Sequence, residues 1–187
     1  MEYHPLTPGR WEDFEMLFGP KGAYAGCWCM YWRTTRKAFA AGQGEGNRKA
    51  MQAIVAAGKE PGIIAYRGQT PVGWCSVAPR EDFPSLNRSR VLKPIDRESV
   101  WSIVCFFIDK RHRGTGMTEN LIAAAVEHVR GKGGRIVEAY PTVPRSDRVP
   151  PVSSYMGFPR LFGRMGFVAA AKASESKWVM RYAIDGA

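Results

Sequence analysis

The run VWSIVCFFI, from Val100 to Ile108, constrains this sequence more than any other stretch, because it is almost continuously apolar over nine residues. A strand with one wet face alternates polar and apolar residues; this one does not, so it reads as a strand buried on both faces. Such a strand belongs in the interior of a sheet, with material packed above and below. It is followed by DKRHRGTGMT and then by NLIAAAVEHVRGKGG, where Leu121, Ile122, Ala125, Val126 and Val129 mark the buried stripe of a helix closed by glycines. RIVEAYP is the next strand.

The rest of the chain supplies the layers. Thr7-Pro8 followed by GRWEDFEMLFG predicts a helix with Thr7 as N-cap and Pro8 at its first position, burying Trp11, Phe14, Leu17 and Phe18. GCWCMYWR is dense in aromatic and thiol residues and predicts a strand, with Trp28, Met30 and Trp32 on one face and Cys27, Cys29 and Tyr31 on the other. Gly46 to Gly58 reads as a second helix, with Met51, Ile54 and Val55 on one side. GIIAYRG and PVGWCSVAP form an antiparallel hairpin around Gly68 and Gln69. Arg80 to Ser99 and Pro141 to Ser153 lack periodicity and read as loops, and long loops in compact domains tend to be functional or disordered. A short helix around GFPRLFGRMGF and two strands, FVAAAK and KWVMRYAI, complete an alternation expected of one domain spanning residues 1–187.

The charge balance asks what the protein meets. Lys and Arg number 27 against 17 Asp and Glu, a formal charge of +10, which points to an anionic partner. No apolar stretch approaches the ~20 residues of a membrane span. The start, MEYHPLTPGRWEDFE, lacks the basic and apolar regions of a signal peptide, so the chain is expected in the cytoplasm. Four cysteines, Cys27, Cys29, Cys75 and Cys105, are too few for a disulfide framework. The Cys27–Cys29 pair has no second close pair, and His4, His112 and His128 are scattered; these thiols read as small buried hydrophobes rather than metal ligands. A nucleic-acid-binding module would need basic and aromatic residues interleaved on one surface, whereas here the basic residues are spread over loops, helices and the last strand.

The junction of the buried strand with its helix carries the sharper signal. Amides at a glycine turn and a helix N-terminus point outward together and, with the helix dipole, bind anions. Arg113, Gly114, Thr115, Gly116, Met117 and Thr118 occupy that junction, and Lys110 and Arg111 add charge. The string is neither G-x-x-x-x-G-K-[ST] nor G-x-G-x-x-G, so neither a Walker loop nor a dinucleotide fingerprint is present.

Arg113-Gly114-Thr115-Gly116-Met117-Thr118, after a hydrophobic strand and opening an amphipathic helix, resembles the R-x-x-G-x-[G/A] acyl-coenzyme A signature of the GNAT superfamily of N-acetyltransferases, with Thr118 where glycine or alanine is usual. Leu161-Phe162-Gly163-Arg164-Met165-Gly166-Phe167 is similar to that family's L-Y-x-x-x-G-F helix end. The resemblance implies an α/β (α+β) fold with a mixed, mostly antiparallel sheet flanked by helices, in which the strands Val100 to Ile108 and Arg135 to Tyr140 splay apart. It implies a pantetheine arm bonded to backbone groups of Phe106, Phe107 and Ile108, with a pyrophosphate on the amides from Gly114 to Glu119. It also implies direct transfer from acetyl-CoA to an amine acceptor in a ternary complex, in which the cysteines need not be nucleophiles, and a homodimer as a frequent assembly.

Amine acetylation needs a base to deprotonate the ammonium, a donor for the developing oxyanion, and an acid for the leaving thiolate. Glu138 interrupts the apolar strand RIVEAY and matches a position where some family members carry a catalytic glutamate; against this stands the reading of a glutamate on an exposed strand face. Glu98 is the second candidate, and His112 is placed for an anion contact rather than for a base. The family's tyrosine falls on Phe162, which cannot donate a proton; Tyr155, seven residues earlier, and solvent water are the two candidates to replace it. Acceptor recognition is expected from Cys27 to Arg33, from Trp74 and from the two loops, where Arg88, Arg90, Arg145 and Arg148 would suit an acidic acceptor. A domain that binds acyl-coenzyme A as a sensor without transfer is the alternative that Phe162 motivates.

Overall fold

In a computed structural model that describes residues 1–144 and 155–184, the buried run forms β4 (Trp101–Ile108), fourth of seven strands. The others are β1 (Glu2–Pro5), β2 (Gly62–Arg67), β3 (Thr70–Pro79), β5 (Ile136–Ala139), β6 (Val168–Ser174) and β7 (Lys177–Ala183), in the order β1-β2-β3-β4-β5-β7-β6. Every neighbouring pair is antiparallel except β4 with β5, so the sheet is mixed and mostly antiparallel.

Its two faces are covered as the periodicity requires. The helix α5 (Met117–Gly131) buries Leu121, Ile122, Ala125, Val126 and Val129 against Ile63, Val77, Ile103, Phe106 and Val137. On the opposite face α1 (Trp11–Phe18) and α3 (Glu45–Ala56) pack over Ile64 and Trp74. Trp11, Phe14, Leu17, Phe18, Met51 and Val55 are all buried there. Thr7 makes no capping bond, because the chain first takes one 3-10 turn over Pro8–Arg10 and α1 starts only at Trp11.

Three expectations are corrected. The aromatic segment Cys27 to Arg33 is not a strand. It is a string of turns in which Trp28 and Cys29 take positive φ, 42° and 58°, as Ala23 and Ala25 do just before it, a conformation costing an L-residue about 1–2 kcal/mol. Packing holds it: the Trp28 ring stacks on Phe18 at 5.8 Å, and Trp28, Cys29 and Met30 are consecutively buried, which no alternating strand allows. The second correction concerns Arg80 to Ser99, which is not a bare loop. It holds the short α4 (Pro84–Asn87), and its Phe83, Leu86 and Leu92 close a third core cluster with Val104 and Tyr140. Lastly, β1 went unforeseen because its four residues, Glu-Tyr-His-Pro, carry no apolar pattern, and only pairing with β2 makes them a strand. The short helix near the C-terminus is α6 (Pro159–Arg164); a further short helix, α2 (Arg36–Ala41), precedes α3. The loop from Pro141 to Ser153, with Arg145 and Arg148, lies mostly outside the described residues.

Candidate active site

Past Ile108 the chain makes one 3-10 turn, Lys110–His112, and enters α5 through Gly114 and Gly116, at φ 74° and 76°. Only glycine takes such angles without strain. A Cβ at either glycine would meet nothing within 4 Å, so the turn opens on free space. Gly116, the N-cap, brings no side-chain acceptor, so the first amides of α5 have neither a preceding turn nor a cap to bond. That arrangement fits a pyrophosphate group. Arg111 bonds Asp109 at 3.0 Å and holds that carboxyl down at about 2, so Arg111 is already neutralised. Arg113 donates to the Ile108 carbonyl at 3.1 Å from an exposed position, and Thr115 ties the turn to the His112 carbonyl at 2.8 Å. Glu119 is ion-paired with Arg164 at 2.6 Å, and Met117 is buried beneath the turn.

The pairing of β4 with β5 stops early. It comprises Trp101 with Val137, Ser102 with Glu138 and Ile103 with Ala139, after which β4 runs on for five residues without β5. A bulge opposite Ser76 and Val77 bends β4 where the two part. A cavity of about 1380 Å3 opens there. Arg113, Gly114 and Thr118 line one end of it, Phe106, Phe107 and Ile108 form one side, Tyr155 and Phe158 form another, and Cys29 and Trp32 belong to the far part. Thr115, Gly116, Met117, Glu119 and Glu138 are not among the lining residues.

A splayed parallel pair beside a glycine turn is the geometry that the sequence motifs imply, and the comparisons agree with it. The model of the acetyltransferase (GNAT) family matches residues 24–150. The chain belongs to the GNAT family of acetyltransferases. No curated protein sequence matches it. Among solved structures, a GNAT-family acetyltransferase from Listeria monocytogenes aligns at TM-score 0.57 with 8% identity, over 98% of this chain and 94% of that one. The paia N-acetyltransferase of Thermoplasma acidophilum, solved with coenzyme A, aligns at TM-score 0.54 with 12% identity, over 98% of both chains. A ribosomal-protein-alanine N-acetyltransferase from Brucella melitensis gives TM-score 0.54 and 14% identity, over 98% of this chain and 100% of that one. At such identities these structures share the fold alone.

Within this GNAT fold Glu138 is not among the residues that line the cavity. It sits on the paired part of β5, 1% exposed. One oxygen takes the Arg80 guanidinium at 2.8 Å and the Tyr140 hydroxyl at 2.7 Å, and the other takes Arg181 at 2.7 Å. Two guanidiniums and a hydroxyl saturate the carboxylate and stabilise its charge, which opposes proton uptake. It is not an exposed strand glutamate but the centre of a buried ion network. Glu98 is exposed and away from the cavity, and Arg88 and Arg90 are likewise exposed.

Tyr155 lines the cavity, and its backbone carbonyl accepts the Phe106 amide at 2.6 Å. The Phe106 N–H is thus satisfied inside the chain. Burial pushes the Tyr155 hydroxyl well above the usual phenol range, with Cys105 adding to the effect. It is therefore protonated at neutral pH. Phe162 is fully buried against Phe106 and Phe167, with centroids at 6.1 and 5.1 Å, so the family's tyrosine position is core here.

Sequence reading missed the group opposite Tyr155. Cys27, Cys29 and Cys105 line the same cavity, and none of the four cysteines is bridged. The C-x-C pair read as small buried hydrophobes, and local spacing gave no sign that the Cys29 sulfur accepts the Trp74 indole N–H from β3 at 3.2 Å. Among the described residues no helix is long and apolar enough to cross a membrane.

Proposed function

We propose that this GNAT chain is an N-acetyltransferase that moves an acetyl group from acetyl-CoA to a primary amine by direct transfer in a ternary complex, in the cytoplasm. The observation that carries this reading is one cavity reaching from an open glycine turn at the start of α5 to the point where β4 leaves β5. The amides from Gly114 to Glu119 would hold the pyrophosphate, with Lys110 and Arg113 adding charge at the rim. Phe107 and Ile108, with the side chain of Phe106, would flank the pantetheine arm. Bound acetyl-CoA supplies an acyl group activated as a thioester. Tyr155, protonated and facing the cavity, is the acid for the leaving sulfur. Four unbridged cysteines suit a reducing compartment.

Calorimetry with acetyl-CoA, followed by thiol release in the presence of a panel of amines, tests the assignment. Binding and amine-dependent release are expected. Thr118→Glu should lower acetyl-CoA affinity at least 100-fold, because it sets a carboxylate beside the phosphate turn at a helical position with no special backbone angle, so the fold is spared. Unchanged affinity in that variant would refute the placement, and binding without release from any amine would favour a sensor.

A further inference from the structure

The far part of the cavity is built of rings, which acetyl-CoA binding at the glycine turn leaves unexplained. Phe18 at the end of α1, Phe107 on β4, Tyr31 and Trp32 on the turns after α1, and Phe39 on α2 all line it. They hold one another in place. Tyr31 stands edge-on to Trp32 at 5.0 Å and 90° and to Phe39 at 5.4 Å and 84°, and Phe18 lies 5.2 Å from Phe107. Yet their cover is incomplete: Tyr31 is 37% exposed, and Trp32, Phe39 and Phe107 are half-buried. Ring surface left open inside a cavity is surface for a ligand to cover.

A second observation marks the same wall. Ala23, Ala25 and Cys29, three of the residues with positive φ, line this cavity, and backbone strain of that kind concentrates where ligands are clamped. The bond from the Trp74 indole N–H to the Cys29 sulfur ties the strained turn to β3, so the wall stands preformed. The titratable groups that face the cavity are the thiols of Cys27, Cys29 and Cys105, the hydroxyls of Tyr24, Tyr31 and Tyr155 and, at the phosphate end, Arg113. Among the described residues none of them is a carboxylate or an imidazole, and burial raises both Cys27 and Tyr155. An ammonium would leave water here for rings and thiols, at the cost of an unpaired charge. A neutral ring would gain burial and edge or face contacts.

We propose that the acceptor is an uncharged aromatic amine, with its nitrogen borne directly on the ring, and that Phe18, Tyr31, Trp32, Phe39 and Phe107 form its binding site. The nitrogen of such an amine shares its lone pair with the ring and is unprotonated at neutral pH, so no ammonium has to be desolvated and no separate base has to remove its first proton. The chemical step rests on the acetyl-transfer reading. Ar–NH2 bonds through nitrogen to the acyl carbon, and the bond from that carbon to the thioester sulfur breaks. Tyr155 gives its proton to the sulfur and receives the one that the nitrogen loses. Each turnover yields an N-aryl acetamide and a free thiol, with no net proton released.

Two isomers separate ring from charge: 4-ethylaniline is neutral near pH 7, whereas 2-phenylethylamine, with the same atoms, is a cation. Calorimetry on the whole chain should show 4-ethylaniline binding about 10-fold or more the tighter. Tyr31→Leu and Phe39→Leu, at partly open positions, should each weaken it about 5-fold and leave acetyl-CoA affinity unchanged. In turnover, kcat/KM for 4-ethylaniline should stay flat between about pH 6 and 8, since no group has to be deprotonated there. Equal or tighter binding of 2-phenylethylamine would overturn the proposal by showing that the rings hold a cation instead. Unchanged amine affinity in both leucine variants, or an acid limb in the 4-ethylaniline profile, would overturn it as well. Loss of acetyl-CoA binding in the unmodified chain would sink the transfer reading alone, because the amine calorimetry needs no acetyl-CoA. Circular dichroism checks the variants for misfolding, and the isomer comparison on the unmodified chain needs no variant.

Discussion

Two buried charges flank the point where β4 and β5 part, and they are treated in opposite ways. On the paired side, Glu138 is held by Arg80, Arg181 and Tyr140, and the spare donors of Arg80 reach Asn87 Oδ1 at 3.0 Å and the Leu92 carbonyl at 2.6 Å. Arg181 in turn reaches Asp96 at 2.9 Å. On the other side, Arg33 has an unpartnered Nε and, among the described residues, no carboxylate bonded to it; its guanidinium donates to the Pro61 carbonyl and to Ser76 Oγ. A charge whose bonds are all made inside the chain fixes geometry; one with a donor left over holds its neighbours less completely.

The largest effect should come from breaking the complete side. Arg80→Met removes the cation that joins the 80–98 segment to β5, leaving Glu138 with only Arg181 and Tyr140. The expected loss is about 3–5 kcal/mol, measured by urea unfolding, and a loss below about 1 kcal/mol would show the network to be ornamental. Glu138→Gln should destabilise less, because the amide still accepts hydrogen bonds, and should leave the pH–rate profile unaltered. A shifted acid limb in that variant would return Glu138 to the role of base.

The same contrast explains what the sequence could disclose. β4, the glycine turn and α5 are consecutive, and each is set by its own pattern: unbroken apolar residues, two left-handed glycines, then a helical stripe. The Arg80–Glu138–Arg181 network and the Arg33–Ser76 and Trp74–Cys29 bonds join residues 43 to 58 positions apart, and no local rule reports them. Glu138 was conspicuous because a carboxylate interrupts an apolar strand, yet that interruption is equally what a buried ion network needs. The aromatic turn misled for a related reason: ring-rich composition favours strands on average, but here Trp28 is pinned by α1, a contact beyond the segment itself.

A smaller effect tests whether the acid belongs to the splayed side. Phe162→Tyr restores the family's residue at a site packed dry among Phe106, Phe167 and the α5 face. A hydroxyl without a partner there should cost about 1–3 kcal/mol, read as a lower urea midpoint, with no gain in turnover. Tyr155→Phe should lower kcat without that loss of stability. Faster turnover in Phe162→Tyr would mean that the position reaches the leaving group after all.

The smallest effect separates Arg33 from a half-buried cation that likewise bonds no carboxylate among the described residues. Lys177 Nζ bonds only neutral groups among the described residues: Thr142 Oγ1 at 2.7 Å, the Tyr140 carbonyl at 3.4 Å and Met156 Sδ at 3.2 Å. Burial lowers its ammonium to about 8, so lysine answers the absence of a counter-ion by releasing its proton, an exit closed to arginine. The sign follows from linkage. Above about pH 8 and below the unfolded value near 10.4, the unfolded chain carries a proton at Lys177 that the folded chain has lost, so stability rises with pH across that window and is flat below it. Lys177→Met should remove this rise and leave the urea midpoint at pH 9 little changed, with a modest gain at pH 7 where the charged amine is otherwise buried. A variant with the same slope as the unmodified chain would mean that Lys177 stays charged when folded, held by neutral groups alone among the described residues.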